Sequence, residues 1–184
     1  MVSLAKQHLR RRLIGRLKKL SRSQRKQKSR RIQQALFRRR FFKTAKTILF
    51  YASLPSEVDT WPMMEKALQL RKRVLLPAMR RGRIVPSKIT NLRTDLTRTS
   101  CGIFEPRGRF LRPVKRTGID LVIVPGIGFD TEGGRLGRGS GHYDRFLKRL
   151  KGQVPLVGLA FTLQRLKRIP AASHDVSVDV VIYG

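Results

Sequence analysis

At 184 residues the chain suits one domain with a full core, and its longest apolar runs fall well short of the roughly 20 residues a membrane span requires. A formal net charge of +31, from 42 Lys and Arg against 11 Asp and Glu, is compatible with a polyanion-binding protein, an enzyme of anionic substrates or a solvated basic surface. The single Cys101 excludes an internal disulfide, and scattered histidines without ligand spacing exclude a zinc site.

The basic N-terminus lacks the apolar stretch of a signal peptide, so a cytoplasmic protein is expected, and no acid occurs before Glu57. Leu9, Leu13, Leu17 and Leu20 recur at helical spacing and predict an amphipathic helix with a basic outer face. Ser21 or Ser23 caps a second helix whose Ile32, Ala35 and Leu36 share one side. Together they form a basic helical hairpin over about residues 1–42, read from this spacing. Its cations do not alternate with aromatics, so no base-stacking platform is indicated.

Residues 46–54 read as a strand, Pro55-Ser56 as a turn, and residues 57–60 as the approach to a helix through Trp61, Met64 and Leu68. Residues 73–77 form the next apolar strand. Strand, helix, strand in this order implies a right-handed crossover and a parallel pair. The polar region 79–99 reads as a short hairpin with a loop, and residues 102–106 precede the central strand. That strand, Leu121 to Val124, is an unbroken apolar run rich in β-branched residues, bounded by Asp120 and by Pro125-Gly126, and so buried on both faces.

A glycine-rich loop follows. Gly133, Gly134, Gly137, Gly139 and Gly141 allow positive φ angles and close approach of a ligand, and Arg135 and Arg138 lie between them. Apolar residues at helical spacing from Tyr143 to Leu147 predict a helix start, where free amides and the helix dipole form an anion cradle. No Gly-Lys-Ser/Thr closes the loop and the G-x-G-x-x-G spacing does not fit, so it is neither a Walker loop nor a Rossmann turn. Buried strands are predicted at 154–161 and 178–183. The expected architecture is a single α/β domain over residues 1–184 with a mostly parallel sheet and a site at the carboxyl ends of its strands.

The segment PGIGFD followed by GGRLGRGSGHYDRFL, from Pro125 to Leu147, resembles the signature of 5-formyltetrahydrofolate cyclo-ligases, also called methenyltetrahydrofolate synthetases. Four further stretches resemble that family's motifs in order: Lys6 to Arg10 its Lys-x-x-Leu-Arg, residues 53–60 its second motif, residues 102–106 its third and residues 174–179 its last. The resemblance implies the three-layer α/β/α sandwich shared with sugar-phosphate isomerases and CoA transferases. It also implies ATP-dependent closure of 5-formyltetrahydrofolate to 5,10-methenyltetrahydrofolate, with release of ADP and phosphate.

For the site, the resemblance implies ATP contacts from Lys6, Arg10, Arg135, Gly137, Arg138, Gly139, Ser140, Gly141, His142 and Tyr143, with Arg135 and Arg138 as the catalytic cations. Tyr51, Ala52, Glu57, Arg138 and His142 are expected at the folate, and Asp144 and Asp175 at Mg2+. A formyl oxygen is a poor leaving group, so phosphorylation must precede attack by the nitrogen at position 10; such transfer needs positioning and charge neutralisation more than a covalent nucleophile.

On spacing alone other roles stay open: a basic helix face for Lys6 and Arg10, a helix-start carboxylate for Glu57, core for Tyr51, a salt bridge to Arg145 or Lys148 or a helix-start carboxylate for Asp144, and a turn for Asp175. Three features depart from the family pattern: His142 in place of a tyrosine, Cys101 in place of an aromatic that would contact the pterin, and the extreme charge. The expected partners are 5-formyltetrahydrofolate and ATP, with no membrane and a monomeric chain. The alternative is a basic nucleic-acid-binding protein on the same fold, with RNA or another polyanion as its partner.

Overall fold

A computed structural model describes residues 2–100 and 102–184, so the expectation resting on Cys101 lies outside the described residues. Helices α1 (Val2–Lys18) and α2 (Arg22–Arg38) form the expected hairpin, with Leu13, Leu17, Ile32 and Leu36 buried. Of the two candidate caps, Ser21 is the one used. Its hydroxyl accepts from Gln24 N at 3.1 Å while the Gln24 side chain accepts from Ser21 N at 2.9 Å, a reciprocal capping box. A short α3 (Arg40–Thr44) leads to the sheet.

The main sheet comprises β1 (Thr47–Leu49), β2 (Arg73–Arg80), β3 (Arg83–Ile89), β6 (Leu121–Val124), β9 (Leu156–Ala160) and β11 (Val180–Tyr183). Its order is β11-β9-β6-β1-β2-β3, and every pair is parallel except β2 with β3. The central strands are apolar at consecutive positions because both faces are covered. Ile48, Val74, Leu76, Leu121, Ile123, Val157 and Leu159 turn toward α2 and α4 (Trp61–Gln69). Leu49, Leu75, Val122, Val124 and Leu156 turn toward Phe146 and Leu147 of α5 (His142–Leu147). The result is the mixed α/β fold with a mostly parallel central sheet that the sequence predicts.

Two stretches differ from their sequence reading. The strand expected at 46–54 ends early: Phe50 N still donates to Leu75 O at 2.9 Å, but beyond it side chains replace the ladder. Thr60 Oγ1 donates to Tyr51 O at 2.6 Å, and Thr60 N donates to Ser53 Oγ at 3.1 Å, so the chain peels away from the sheet. Region 79–99 is a longer hairpin than expected, since β2 and β3 pair from Val74 with Ile89 to Arg80 with Arg83. Arg81 and Gly82 close it with φ angles of 47° and 71°, the conformation that matches the twist of a two-residue hairpin loop.

A small ribbon of β4 (Leu96–Arg98) and β5 (Phe104–Pro106) follows, and β7 (Gly128–Asp130), β8 (Arg135–Leu136) and β10 (Arg165–Leu166) form a second sheet. Buried Asp130 sets the bend between β7 and β8, its carboxylate accepting from Gly134 N at 2.7 Å and from Ile169 N at 2.9 Å. Among the described residues no helix is long and apolar enough to cross a membrane.

Candidate functional site

The parallel strands leave their carboxyl ends at one edge, where a cavity of about 210 Å³ opens. Tyr51, Ala52, Leu54 and Glu57, just beyond β1, form one wall; Pro77, Met79 and Ile84 of the hairpin form another with Ile103 and Glu105. Pro125 to Ile127, beyond β6, make the floor. The third wall is Arg135 and residues 137–144.

The glycine loop takes its shape from three residues of positive φ, Gly133 at 81°, Gly139 at 113° and Gly141 at 67°, and Gly141 is the N-cap of α5. A side chain at Gly139 would be strained in that backbone and would also meet the Arg10 guanidinium, 3.7 Å from where its Cβ would stand. Arg10 Nε donates to Gly137 O at 2.8 Å, so α1 braces the loop from outside the cavity.

One turn earlier on the same helix, the buried Lys6 ammonium pairs with Asp175. Burial alone would raise the Asp175 carboxyl, but the Lys6 hydrogen bond, the Ala172 N–H and the charges of Lys6 and His174 outweigh it and hold it below the ordinary range. Lys6 and Arg10 therefore do not form an ordinary basic helix face. Lys6 reaches Asp175 and Arg10 reaches the loop.

Arg135 is equally committed. Its Nη2 donates to Asp144 Oδ1 at 2.6 Å and its Nη1 to Pro125 O at 3.3 Å, while the buried Nε has no acceptor among the described residues. Asp144 Oδ1 also accepts from Val176 N at 3.3 Å, which brings Asp144 beside Asp175. Of the alternatives expected for Asp144, the salt bridge to Arg145 or Lys148 is not formed, whereas its place in the first turn of α5 is that of a helix-start carboxylate. Asp175 does hold a turn, accepting from Ala172 N at 2.6 Å, in addition to its pairing with Lys6.

Arg138 differs from Arg135 in exposure. Its side chain is 51% exposed, and its Nη2 donates to Glu57 Oε1 at 2.8 Å across the mouth of the cavity. The other Glu57 oxygen accepts from Leu54 N at 2.9 Å. Glu57 is not the helix-start carboxylate: α4 begins at Trp61 with no acid in its first turn, and Asp59 Oδ1 receives the Trp61 N–H at 3.1 Å.

Tyr51 serves core and cavity together, since it is buried yet lines the wall. Its phenol is raised well above the ordinary value by burial and by the nearby Glu57 charge. Burial likewise raises Tyr143, against the opposing charge of Arg135, and its hydroxyl has no partner among the described residues. His142 Nδ1 lies 3.1 Å from Gly82 O and 2.6 Å from Arg145 Nη2, contacts that require opposite protonation of that nitrogen.

Every residue expected at the site thus lines the cavity or, as with Lys6, Arg10 and Asp175, stands behind its loop. Sequence reasoning did not assign the hairpin wall. Met79 and Ile84 come from the polar stretch 79–99, which the sequence read as a short hairpin with a loop but gave no part in the site. Glu105, whose Oε2 accepts from Met79 N at 3.1 Å, lies in the motif-like stretch 102–106, which carried no site role in the sequence.

The fold and site define an α/β protein with phosphate-type donors and an apolar, carboxylate-bearing slot in one cavity. The family model for the 5-formyltetrahydrofolate cyclo-ligase family matches residues 2–184, and the chain belongs to that family. It is 32% identical to the 5-formyltetrahydrofolate cyclo-ligase of Mus musculus, with 99% of this chain and 95% of that protein covered. The cyclo-ligase of Escherichia coli K12 is 30% identical over 75% of this chain and 78% of its own length. Among solved structures, the 5,10-methenyltetrahydrofolate synthetase of Aquifex aeolicus superposes with a TM-score of 0.85 at 32% identity, covering 97% of this chain and 89% of that one.

Proposed function

We propose that the protein closes 5-formyltetrahydrofolate to 5,10-methenyltetrahydrofolate at the expense of ATP. The observation that carries this reading is a cavity that holds arginines and a glycine loop opposite two largely apolar walls, one bearing Glu57 and the other Glu105. Amides of residues 137–141, with the Arg138 fork, receive the phosphates. Glu57 accepts hydrogen bonds from the pterin's amino and ring nitrogens once Arg138 turns to phosphate.

The γ-phosphoryl group passes to the formyl oxygen, ADP leaves, the nitrogen at position 10 attacks the formyl carbon, and the carbon–oxygen bond breaks to release phosphate. Arg135, held rigid by Asp144, keeps a fixed positive charge beside the transferred group without moving. Arg10 keeps the loop in its binding shape from behind, and Lys6 holds Asp175 beside it.

Magnesium takes hard oxygen ligands from one or two carboxylates and completes its shell with phosphates and water. Asp144 Oδ2 and Asp175 Oδ1 carry no hydrogen bond among the described residues, while the other oxygen of each is held. Those two acids fit a phosphate-completed site, and among the described residues no larger ligand cluster exists. Bound there, the metal would offset charge on the phosphates.

The test is formation of the methenyl product, followed by its absorbance, in purified protein. Turnover that requires both ATP and magnesium supports the reading. No turnover together with no ATP binding refutes it.

A further inference from the structure

Beside His142, a second recess of about 410 Å³ shares Ile84 and His142 with the site cavity. Its rim carries Arg81, Arg83, Arg116, Arg145, Lys148 and Arg149, with Ile84 and Phe146 at its floor and no acid among its lining residues. None of these six cations takes part in a salt bridge among the described residues. The cations converge from three parts of the fold: the β2–β3 turn, the segment before β6, and α5 with the turn after it.

This differs from the rest of the basic surface in shape. Cations on a convex helix spread apart into solvent, whereas here they surround a concavity, where their fields add and a guest is contacted from several sides. Five of the six are arginines, whose planar forks suit tetrahedral oxyanions bidentately. A ligand that offsets several positive charges within so small a volume must itself be compact and multiply charged. A phosphate chain meets that demand; a carboxylate chain spaces its charges more widely.

We infer that this recess is a second anion site, taking a compact oligophosphate and separate from the nucleotide site. The wall they share makes His142 the point of contact. Arg145 Nη2 now lies 2.6 Å from His142 Nδ1, and an anion drawing Arg145 into the recess leaves that nitrogen to the Gly82 carbonyl, 3.1 Å away.

Titration calorimetry of the full chain with inorganic tripolyphosphate at physiological ionic strength tests the assignment. Four proteins are compared: wild type, Arg81→Gln/Arg149→Gln in the recess, Arg138→Gln in the cavity, and Arg11→Gln/Arg12→Gln on the exposed face of α1, which removes the same charge elsewhere. The expected result is a binding step weakened at least tenfold in the recess variant, changed less than twofold in the α1 variant, and retained in Arg138→Gln. Lys148→Gln alone is expected to weaken it less, in the same direction, and circular dichroism verifies that each variant is folded.

Equal losses in the recess and α1 variants would reduce the effect to overall charge, and a loss confined to Arg138→Gln would assign the ligand to the cavity. Either overturns the inference. So does displacement of tripolyphosphate by a glutamate trimer or a single-stranded oligonucleotide at equal affinity, because the pocket is then not selective for oligophosphate. Because the readout is binding, it stands even if the ligase reading fails; an unchanged Michaelis constant for ATP in the recess variant adds that the two sites are distinct.

Discussion

Helix α1 holds two kinds of cation within one element. Lys6 is buried and paired with Asp175, and Arg10 is bonded to the glycine loop, whereas Arg11, Arg12 and Lys18, with Lys19 just beyond the helix end, are exposed and make no salt bridge among the described residues. The difference teaches that the net charge of +31 is not one property. A few cations are fixed by partners at the edge of the cavity, where their geometry is set; the rest are solvated and act only through a salt-screened field.

The sharpest way to break this distinction is to remove cations of each kind. If the ammonium serves the nucleotide site, Lys6→Ala loses a charge-assisted contact worth about 2–3 kcal/mol, so the Michaelis constant for ATP should rise roughly 30- to 150-fold. Lys18→Ala and Lys19→Ala should leave it within about twofold, the range expected of exposed charges. Steady-state kinetics across ATP concentrations decides, and equal effects at all three positions would dissolve the comparison.

Asp144→Asn comes next. It keeps the shape of the acceptor facing Arg135 but removes the charge, so turnover should fall by about tenfold and the magnesium concentration for half-maximal rate should rise. Asp175→Asn should act in the same direction, more mildly. The magnesium dependence is the useful readout, because a loss of folded protein lowers the rate without moving that midpoint. Unchanged midpoints in both variants would remove these acids from the metal site.

How far the site was legible follows from what a local pattern can encode. The run Leu121–Val124 announced a strand because burial on both faces leaves no polar alternation, and the glycine loop announced itself by composition. The Lys6–Asp175 pair joins residues 169 positions apart, and no spacing rule reports such a contact. The family motifs brought both residues to the site, but with ATP and magnesium as their expected contacts rather than each other. The early end of β1 was hidden because the hydrogen bonds that stop it come from Ser53 and Thr60, whose side chains look ordinary in sequence. Strands as short as β8 and β10 carry no detectable period.

A different engaged pair, outside the cavity lining, sharpens the comparison through pH. Asp95 is buried and accepts from Thr90 N at 2.9 Å and from Arg112 Nη1 at 2.7 Å. Burial pushes its carboxyl up, but the hydrogen bonds from Thr90, Arg112 and Asn91 prevail and hold it at about 2. A carboxylate depressed in the folded state contributes stability that is complete above the unfolded value near 4 and is lost as pH falls toward about 2. Denaturant unfolding should show a loss of about 2 kcal/mol from this group across that window, absent in Asp95→Asn. An identical acid slope in the variant would mean that the carboxylate is not the group responsible.

The smallest expected effect belongs to Glu57, which faces the half-exposed Arg138 and so stands between the two kinds of charge. Its role at a helix start is removed by the position of α4, leaving the turn contact to Leu54 N and the charge at the cavity mouth. Glu57→Gln keeps an amide oxygen for Leu54 N, so thermal stability should change little. What it loses is the negative charge and one acceptor toward a donor-rich ring edge, about 1–1.5 kcal/mol, or roughly five- to tenfold in folate affinity. Equilibrium binding of 5-formyltetrahydrofolate without ATP isolates this quantity. Unaltered affinity would return Glu57 to the turn alone, and the cavity's folate-facing carboxylate would then have to be sought at Glu105.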